Sequence, residues 1–488
     1  MAIGTTNETK ESQMKNVSTV GGGLRNRGLR RAIQLSAVAV GVSMLLAACS
    51  GSAPTSQNSS GKVGGQLNLW YSLPTSGSAA KGAATYKKYS IDPFTKQYPG
   101  VTVNASPNNV DTINQKIQVA LAAGSGPDII PTPGSSNAVP FGTAGYLADL
   151  TGAAKKNDWQ NRLLPWALDM GYIKGKLEAL PTSYETLVVY YNKTLFEKNG
   201  WKPPTDRASL ETLAGEMQAK GITPFAAGNA SYQPATEWLV SAFMNEVAGP
   251  SKVYDALSGK IPWTDPSIEA SISLLKTYFD NGYFGGGVKQ YFSTQDPQKY
   301  AQLASGKAGM FISGSWEMFS LPTYFGTNGN KDDWAWAPLP PLADGVPSNI
   351  YPLSVGGTIS VNAKSQNIPA ATAYVNWLFS DTKTMWASAV ATGSEPLPIK
   401  FSPTDVPKGI DPRYAAQYQA INDASEKGNV GYVTWTSFGA KADTYIIQNE
   451  DKVLNGNLSV AAFCAGINQA FKSDKAAGLI PPLFKTGS

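Results

Sequence analysis

The chain has 488 residues, enough for two sizeable domains, with a formal net charge of +5 at pH 7. Charged residues make up 15%, Gly and Pro number 48 and 33, and Tyr, Phe and Trp number 22, 17 and 12. That balance excludes a disordered chain and suits a soluble body rich in turns and aromatic surfaces. Histidine is absent, which excludes Ser-His and Cys-His catalysis, imidazole acid–base chemistry and His-based metal sites, and leaves carboxylate, Lys or Tyr chemistry.

At the N-terminus, Arg25, Arg27, Arg30 and Arg31 precede an apolar stretch from Ala32 to Ala48, whose last small residues stand directly before Cys49. A basic flank, an apolar run and small residues before a Cys resemble a bacterial lipoprotein signal. The resemblance implies cleavage before Cys49 and lipidation of its thiol. The rival reading is a transmembrane anchor, which needs about 20 residues, a little more than this run offers. Residues 1–48 hold six of the 40 basic and two of the 35 acidic residues, so 34 and 33 remain. The apparent basicity therefore belongs to the targeting segment, and nothing left suggests a nucleic acid or an anionic surface as partner. Residues 49–65 read as a flexible polar linker. With Cys49 lipidated, Cys464 stands alone in an apolar helical run and reads as a buried structural thiol.

Gln66 to Ser72 alternates and reads as a first strand. A helix follows from about Ala83 to Gln97, stopped by Pro99-Gly100, then a strand Val101–Asn104, a helix Ile113–Ala123 and a short strand Asp128–Ile130. This β-α-β-α-β order predicts a mostly parallel sheet. Thr186 to Tyr191 is strongly β-prone, and Pro181 before it predicts an extended crossing strand. Helices are expected over Ala235–Val247 and Ser267–Asn281.

Tyr300 to Phe319 begins at helical spacing, halts at Gly306 and continues as the apolar run Ala308–Ile312, the length of a buried strand. Gly314-Ser315-Trp316 closes it. On this pattern Trp316 reads either as core filling or as a ligand wall at the carboxyl end of a strand. Trp334 and Trp336 read as packing, the Gly356-Gly357 pair inside a strand pattern as a bend between two bodies, and Pro369 to Phe379 as an amphipathic helix.

Several phrases in this order carry a resemblance to a known family. They are Phe94-Thr95-Lys96-Gln97-Tyr98-Pro99-Gly100-Val101, Ala122-Ala123-Gly124-Ser125-Gly126-Pro127-Asp128-Ile129-Ile130 and Gly145-Tyr146-Leu147-Ala148-Asp149-Leu150. Pro181-Thr182-Ser183-Tyr184-Glu185-Thr186 leading into Tyr190-Tyr191-Asn192-Lys193, Gly306-Lys307-Ala308-Gly309-Met310 with Gly314-Ser315-Trp316, and Asp411-Pro412-Arg413 complete the set. Over residues 66–480 the chain resembles the extracellular solute-binding proteins of bacterial ABC importers, in the maltose-binding-protein-like group. The resemblance implies a two-lobe α/β periplasmic-binding-protein-like fold of class II. Each lobe would be a mostly parallel sheet flanked by helices, with a ligand cleft between lobes that closes by hinge motion. The implied segments are 66–183 and 356–408 for lobe 1, and 184–355 and 409–488 for lobe 2.

The resemblance also implies site residues. Trp316 falls on a sugar-stacking tryptophan of the group, and Glu185 on a cleft carboxylate that accepts from sugar hydroxyls. Trp70 matches a strand tryptophan whose neighbours Tyr71 and Ser72 reach the cleft mouth. Tyr232, Gln233 and Trp238 align loosely with an acid-aromatic pair, and Trp435 and Phe438 fall near another stacking tryptophan. Thr132, Ser135 and Ser136 stand where the group has an aromatic, an acid and a base, so the ligand or its mode of binding differs.

A sugar ring needs flat aromatic walls for its C–H faces and acceptors or donors for its hydroxyls. Trp316, Trp435, Tyr184 and Tyr232 suit the first task; Glu185, Asn192 and Gln233 suit the second, and Asp128 reads as structural. The function implied is a lipid-anchored, extracytoplasmic sugar-binding component of an ABC importer, monomeric, without cofactor or metal, delivering a di- or oligosaccharide to permease subunits. The alternatives are a sensor or adhesion module of the same fold, and a glycosidase, for which no acid pair stands out.

Overall fold

The computed structural model describes residues 63–73, 79–326, 330–392 and 395–484. The signal peptide, Cys49 and the linker as far as residue 62 lie outside the described residues.

The first sheet has the order Val101–Asn109, Gly65–Leu73, Ile129–Thr132, Thr358–Val361, Leu180–Pro181. Its first three strands are parallel, with Leu69 paired to both Ala105 and Ile129. The alternation of the first strand is what orients it: Leu67, Leu69 and Tyr71 are buried while Gln66, Asn68 and Ser72 are exposed. The helix Val110–Ala122 then presents Ile113, Ile117 and Leu121, one face at i, i+4, i+8, to Ile130 of the sheet. Burying such side chains contributes about 1.5–3 kcal/mol each. Ala79–Tyr86, Lys87–Ile91 and Asp92–Gln97 run on as one helix whose middle turn is π-helical.

The second sheet has the order Trp334–Ala337, Leu187–Asn192, Ala308–Gly314, Thr223–Phe225. The Ala308–Gly314 strand is buried at all seven positions. It is fed by the helix Asp296–Ala304, which ends where Gly306 takes a left-handed φ of 72°. Trp334 is buried against the Arg413 guanidinium, 4.0 Å from its ring, and so packs as expected. Crossing strands enter against their neighbours: Thr358–Val361 is antiparallel to Ile129–Thr132, and Leu187–Asn192 to Ala308–Gly314. Each sheet is therefore mixed where a mostly parallel one was expected: the first has two parallel and two antiparallel pairings, the second one parallel and two antiparallel, because the strands that cross over enter antiparallel.

Two antiparallel segments pass between the sheets. Thr182 N–H donates to Gly357 O at 2.8 Å, and Glu185 and Ser354 exchange backbone hydrogen bonds of 3.0 Å each way. Gly356 and Gly357 lie in the second of these segments. A third passage follows Lys400, whose N–H donates to Arg162 O, and leads to the helix Pro412–Lys427. That helix rests on the second sheet, where Gln417 Nε2 donates to Tyr190 Oη at 3.3 Å. We propose the lobe boundaries at these three passages.

Cys464 is a free, fully buried thiol on the helix Val460–Ala476, and burial pushes its pKa up to about 12. Among the described residues no helix is long and apolar enough to cross a membrane.

Candidate functional site

The fully buried Ala308–Gly314 strand sets its own end rigidly, and Ser315 clamps that end to the crossing segment. Ser315 N–H donates to Thr186 O at 3.0 Å, and its Oγ accepts from Thr186 N–H at 3.3 Å. Glu317, also buried, accepts from Ser313 Oγ at 2.8 Å. Between them Trp316 emerges half-buried.

Trp316 belongs to a continuous chain of ring contacts. Tyr232 stacks on Trp238 with centroids 5.7 Å apart, Trp238 meets Trp316 at 4.9 Å, and Trp316 meets Trp435 edge-on at 6.2 Å. All four rings are half-buried. They come from the loop before the helix Ala235–Phe243, from that helix, from the strand end and from the short helix Thr434–Ser437. Offset aromatic rings of this kind give apolar faces with N–H or O–H groups at their edges. Lys299, 2% exposed, lies 5.5 Å from the Trp238 ring and is ion-paired to Asp296 at 2.7 Å, so its charge is already matched.

A carboxylate is wired to this strip. Trp435 Nε1 donates to Ser354 Oγ, and Ser354 Oγ donates to Glu185 Oε2 at 3.0 Å. Glu185 is buried, and its pKa is raised by that burial and by the neighbouring Glu395 against the pull of the Ser354, Trp435 and Ser183 hydrogen bonds. Glu395 is raised in turn by burial and by Glu317. The polar groups beside the strip are therefore carboxyls and hydroxyls, able to accept from and donate to a polyhydroxylated ligand.

The elements following the two sheets also meet here. Ser136, on the helix Gly134–Thr143, donates from Oγ to Phe438 O at 2.5 Å, just beyond Trp435. Ser135 is 1% exposed and its hydroxyl has no hydrogen-bond partner. Thr132 Oγ1 bonds Thr358 Oγ1 across the sheet.

Other expected residues lie elsewhere. Tyr184 is wholly buried, edge-on to Tyr418 at 4.9 Å and to Trp166 at 6.3 Å, so it packs the core and offers no face to a ligand. Tyr71 is buried under Tyr86, stacked at 3.8 Å, and is likewise a packing residue. Asn192 caps the helix Lys193–Asn199 and donates to Leu303 O at 3.0 Å. Gln233 and Ser72 are exposed. Asp128 is structural, accepting from Asn68 N–H at 2.7 Å and from Ser365 Oγ at 2.5 Å. A separate cavity of about 860 Å³ opens beside the Val101–Asn109 edge strand, lined among others by Trp70, Tyr71, Lys87 and Asn104, and no residue of the aromatic strip borders it. The sequence reading missed Ser354 and Glu395; Ser354 stands 169 residues from Glu185, and no local pattern marks it.

The profile of the bacterial extracellular solute-binding proteins matches residues 90–407. The chain belongs to that family. Within it, the chain is 27% identical over 240 residues to the diacetylchitobiose binding protein NgcE of Streptomyces coelicolor, covering 47% of this chain and 50% of that protein. It is 23% identical to an ABC transporter extracellular-binding protein of Pyrococcus horikoshii, covering 72% and 77%. The match to the first of these spans about half of the relative's length. Among solved structures, a chitin oligosaccharide binding protein superposes with a TM-score of 0.71 at 21% identity, covering 85% of this chain and 99% of that one. At that identity the likeness shows the fold, a two-lobe one.

Proposed function

We propose that this solute-binding protein holds a di- or oligosaccharide between its lobes and hands it to the permease of an ABC importer. The observation that carries the reading is the wiring of Trp316 and Trp435 to Glu185 at the crossing between the two sheets. Apolar ring faces and hydroxyl acceptors are thereby placed within one ligand's reach, at the place where lobe closure would be felt. Trp316, Trp435, Trp238 and Tyr232 form the wall, Glu185 and Glu395 accept hydroxyls, and Ser135 supplies a hydroxyl from the opposite lobe. Gln233, next in sequence to Tyr232, is exposed and offers a further amide beside this wall.

Several bonds and much stacked area are required. Each hydrogen bond contributes only about 0.5–1.5 kcal/mol net, against about 8 kcal/mol for micromolar affinity. The names of the relatives, one binding diacetylchitobiose and one a chitin oligosaccharide, support a glycan of two or more units. The protein acts outside the cytoplasm, monomeric and anchored through a lipid on Cys49, and binds without catalysing. A thermal-shift screen over mono- to tetrasaccharides tests the reading. A saturable rise in melting temperature with the sugar recovered intact supports it; no response to any sugar, or turnover of the sugar, counts against it.

A further inference from the structure

Two glycines touch the proposed ligand contacts directly. Gly314 pairs with Leu187 in the second sheet, and its φ is not in the left-handed region, so the backbone itself would accept a side chain. Space would not. A Cβ there would lie 2.1 Å from Cζ3 and 2.2 Å from Cη2 of Trp316. The six-membered ring of the indole thus lies against the Gly314 α-carbon. Gly356, in the opposite crossing segment, also lacks a positive φ. Its Cβ would lie 1.5 Å from Glu185 Oε1 and 2.7 Å from Ser183 Oγ, so the carboxylate occupies the volume a side chain would need.

In strand-like surroundings a glycine weakens local structure, and one that is not needed for φ marks a close approach. Here both approaches are made by the two side chains central to the site. Around Trp316, Gly314 backs the ring, while Trp238 and Trp435 abut it at 4.9 and 6.2 Å. Orientation is thereby held without any hydrogen bond to the indole. We infer that Gly314 and Gly356 are positioning residues for binding, the first seating the Trp316 ring and the second the Glu185 carboxylate, each by the absence of its side chain. The inference rests on the reading of Trp316 and Glu185 as ligand contacts, and the glycines touch no ligand themselves.

The test uses the full-length protein with Gly314→Ala and Gly356→Ala, titrated with N,N′-diacetylchitobiose and maltotriose. Each substitution is expected to weaken binding of the sugar that binds by about tenfold or more. Gly314→Ala placed on Trp316→Ala should add no further loss, because the ring it displaces is gone; Gly356→Ala on Glu185→Ala should behave likewise. Additive losses in both double variants, or wild-type affinity in the single ones, overturn the inference. The seating itself has a readout that needs no sugar. The near-ultraviolet circular dichroism of Trp316, taken as the difference from Trp316→Phe, should change in Gly314→Ala while Gly356→Ala leaves it intact. An unchanged Trp316 signal in Gly314→Ala overturns the seating of the ring even where no sugar binds, whereas absence of sugar binding in the wild type defeats the functional reading alone.

Discussion

Glu185 and Ser354 are joined twice. Their backbones exchange two hydrogen bonds of 3.0 Å where the chain crosses between sheets, and the Ser354 hydroxyl donates to the Glu185 carboxylate. The same hydroxyl accepts from the Trp435 indole. One serine thus ties crossing, carboxylate and aromatic wall together.

Ser354→Ala should therefore do more than remove a hydroxyl. It removes one donor to the Glu185 carboxyl and one acceptor of the Trp435 N–H, while the Ser183 and Trp435 bonds to Glu185 persist, at a cost of about 1–3 kcal/mol. Chemical denaturation is expected to show a loss of that size, and calorimetry a weaker sugar affinity. Unaltered stability and affinity would show that the hydroxyl is incidental.

The absence of histidine makes the pH response legible, since no imidazole titrates in the neutral range. Burial, and for Glu185 the nearby Glu395, raises Glu185 from 4.5 to about 8, while burial and Glu317 raise Glu395 to about 7. Both folded pKa values lie above the unfolded ones. The folded state therefore binds more protons between those limits, and stability falls as pH rises. This contribution is complete below the unfolded pKa and is lost as pH rises through roughly 7 to 8. Melting temperature should decline from about pH 5 to about pH 8.5, and Glu185→Gln should flatten that decline. A curve equally steep in the variant would assign the effect to other buried acids.

Closure on ligand predicts a contraction. Small-angle scattering of the protein saturated with its sugar should give a smaller radius of gyration than without it. An identical profile at saturation would argue that the two lobes do not move on binding.

The anchor is tested chemically. Cells fed a labelled fatty acid should lipidate the wild-type protein and leave Cys49→Ser unlabelled. Label retained in the variant would reject Cys49 as the acceptor.

Much of the scaffold was legible because it rests on local patterns. The Tyr300–Phe319 stretch gives its helix, its glycine stop and its buried strand in the places expected, and the Gly356-Gly357 pair lies in a crossing segment. Cys464 is buried as its apolar surroundings suggest. What local pattern could not give is facing. Tyr184 and Glu185 are adjacent and both buried, yet one packs on Tyr418 and the other bonds Ser354, and the sequence does not say which does which. Tyr71 reads as cleft-facing until Tyr86, fifteen residues on, covers it. Ser354 reaches the site through tertiary pairing alone, and the π-helical turns at Lys87–Ile91 and Met244–Ala248 have no plain sequence mark.

The most direct test of the aromatic wall is calorimetric titration of the wild type and Trp316→Ala with the oligosaccharide that gives the largest thermal shift. The wild type should bind with measurable heat, and the variant about tenfold or more weakly at an almost unchanged melting temperature. Equal affinity in the two proteins, with the fold intact, would contradict the placing of the ligand on Trp316.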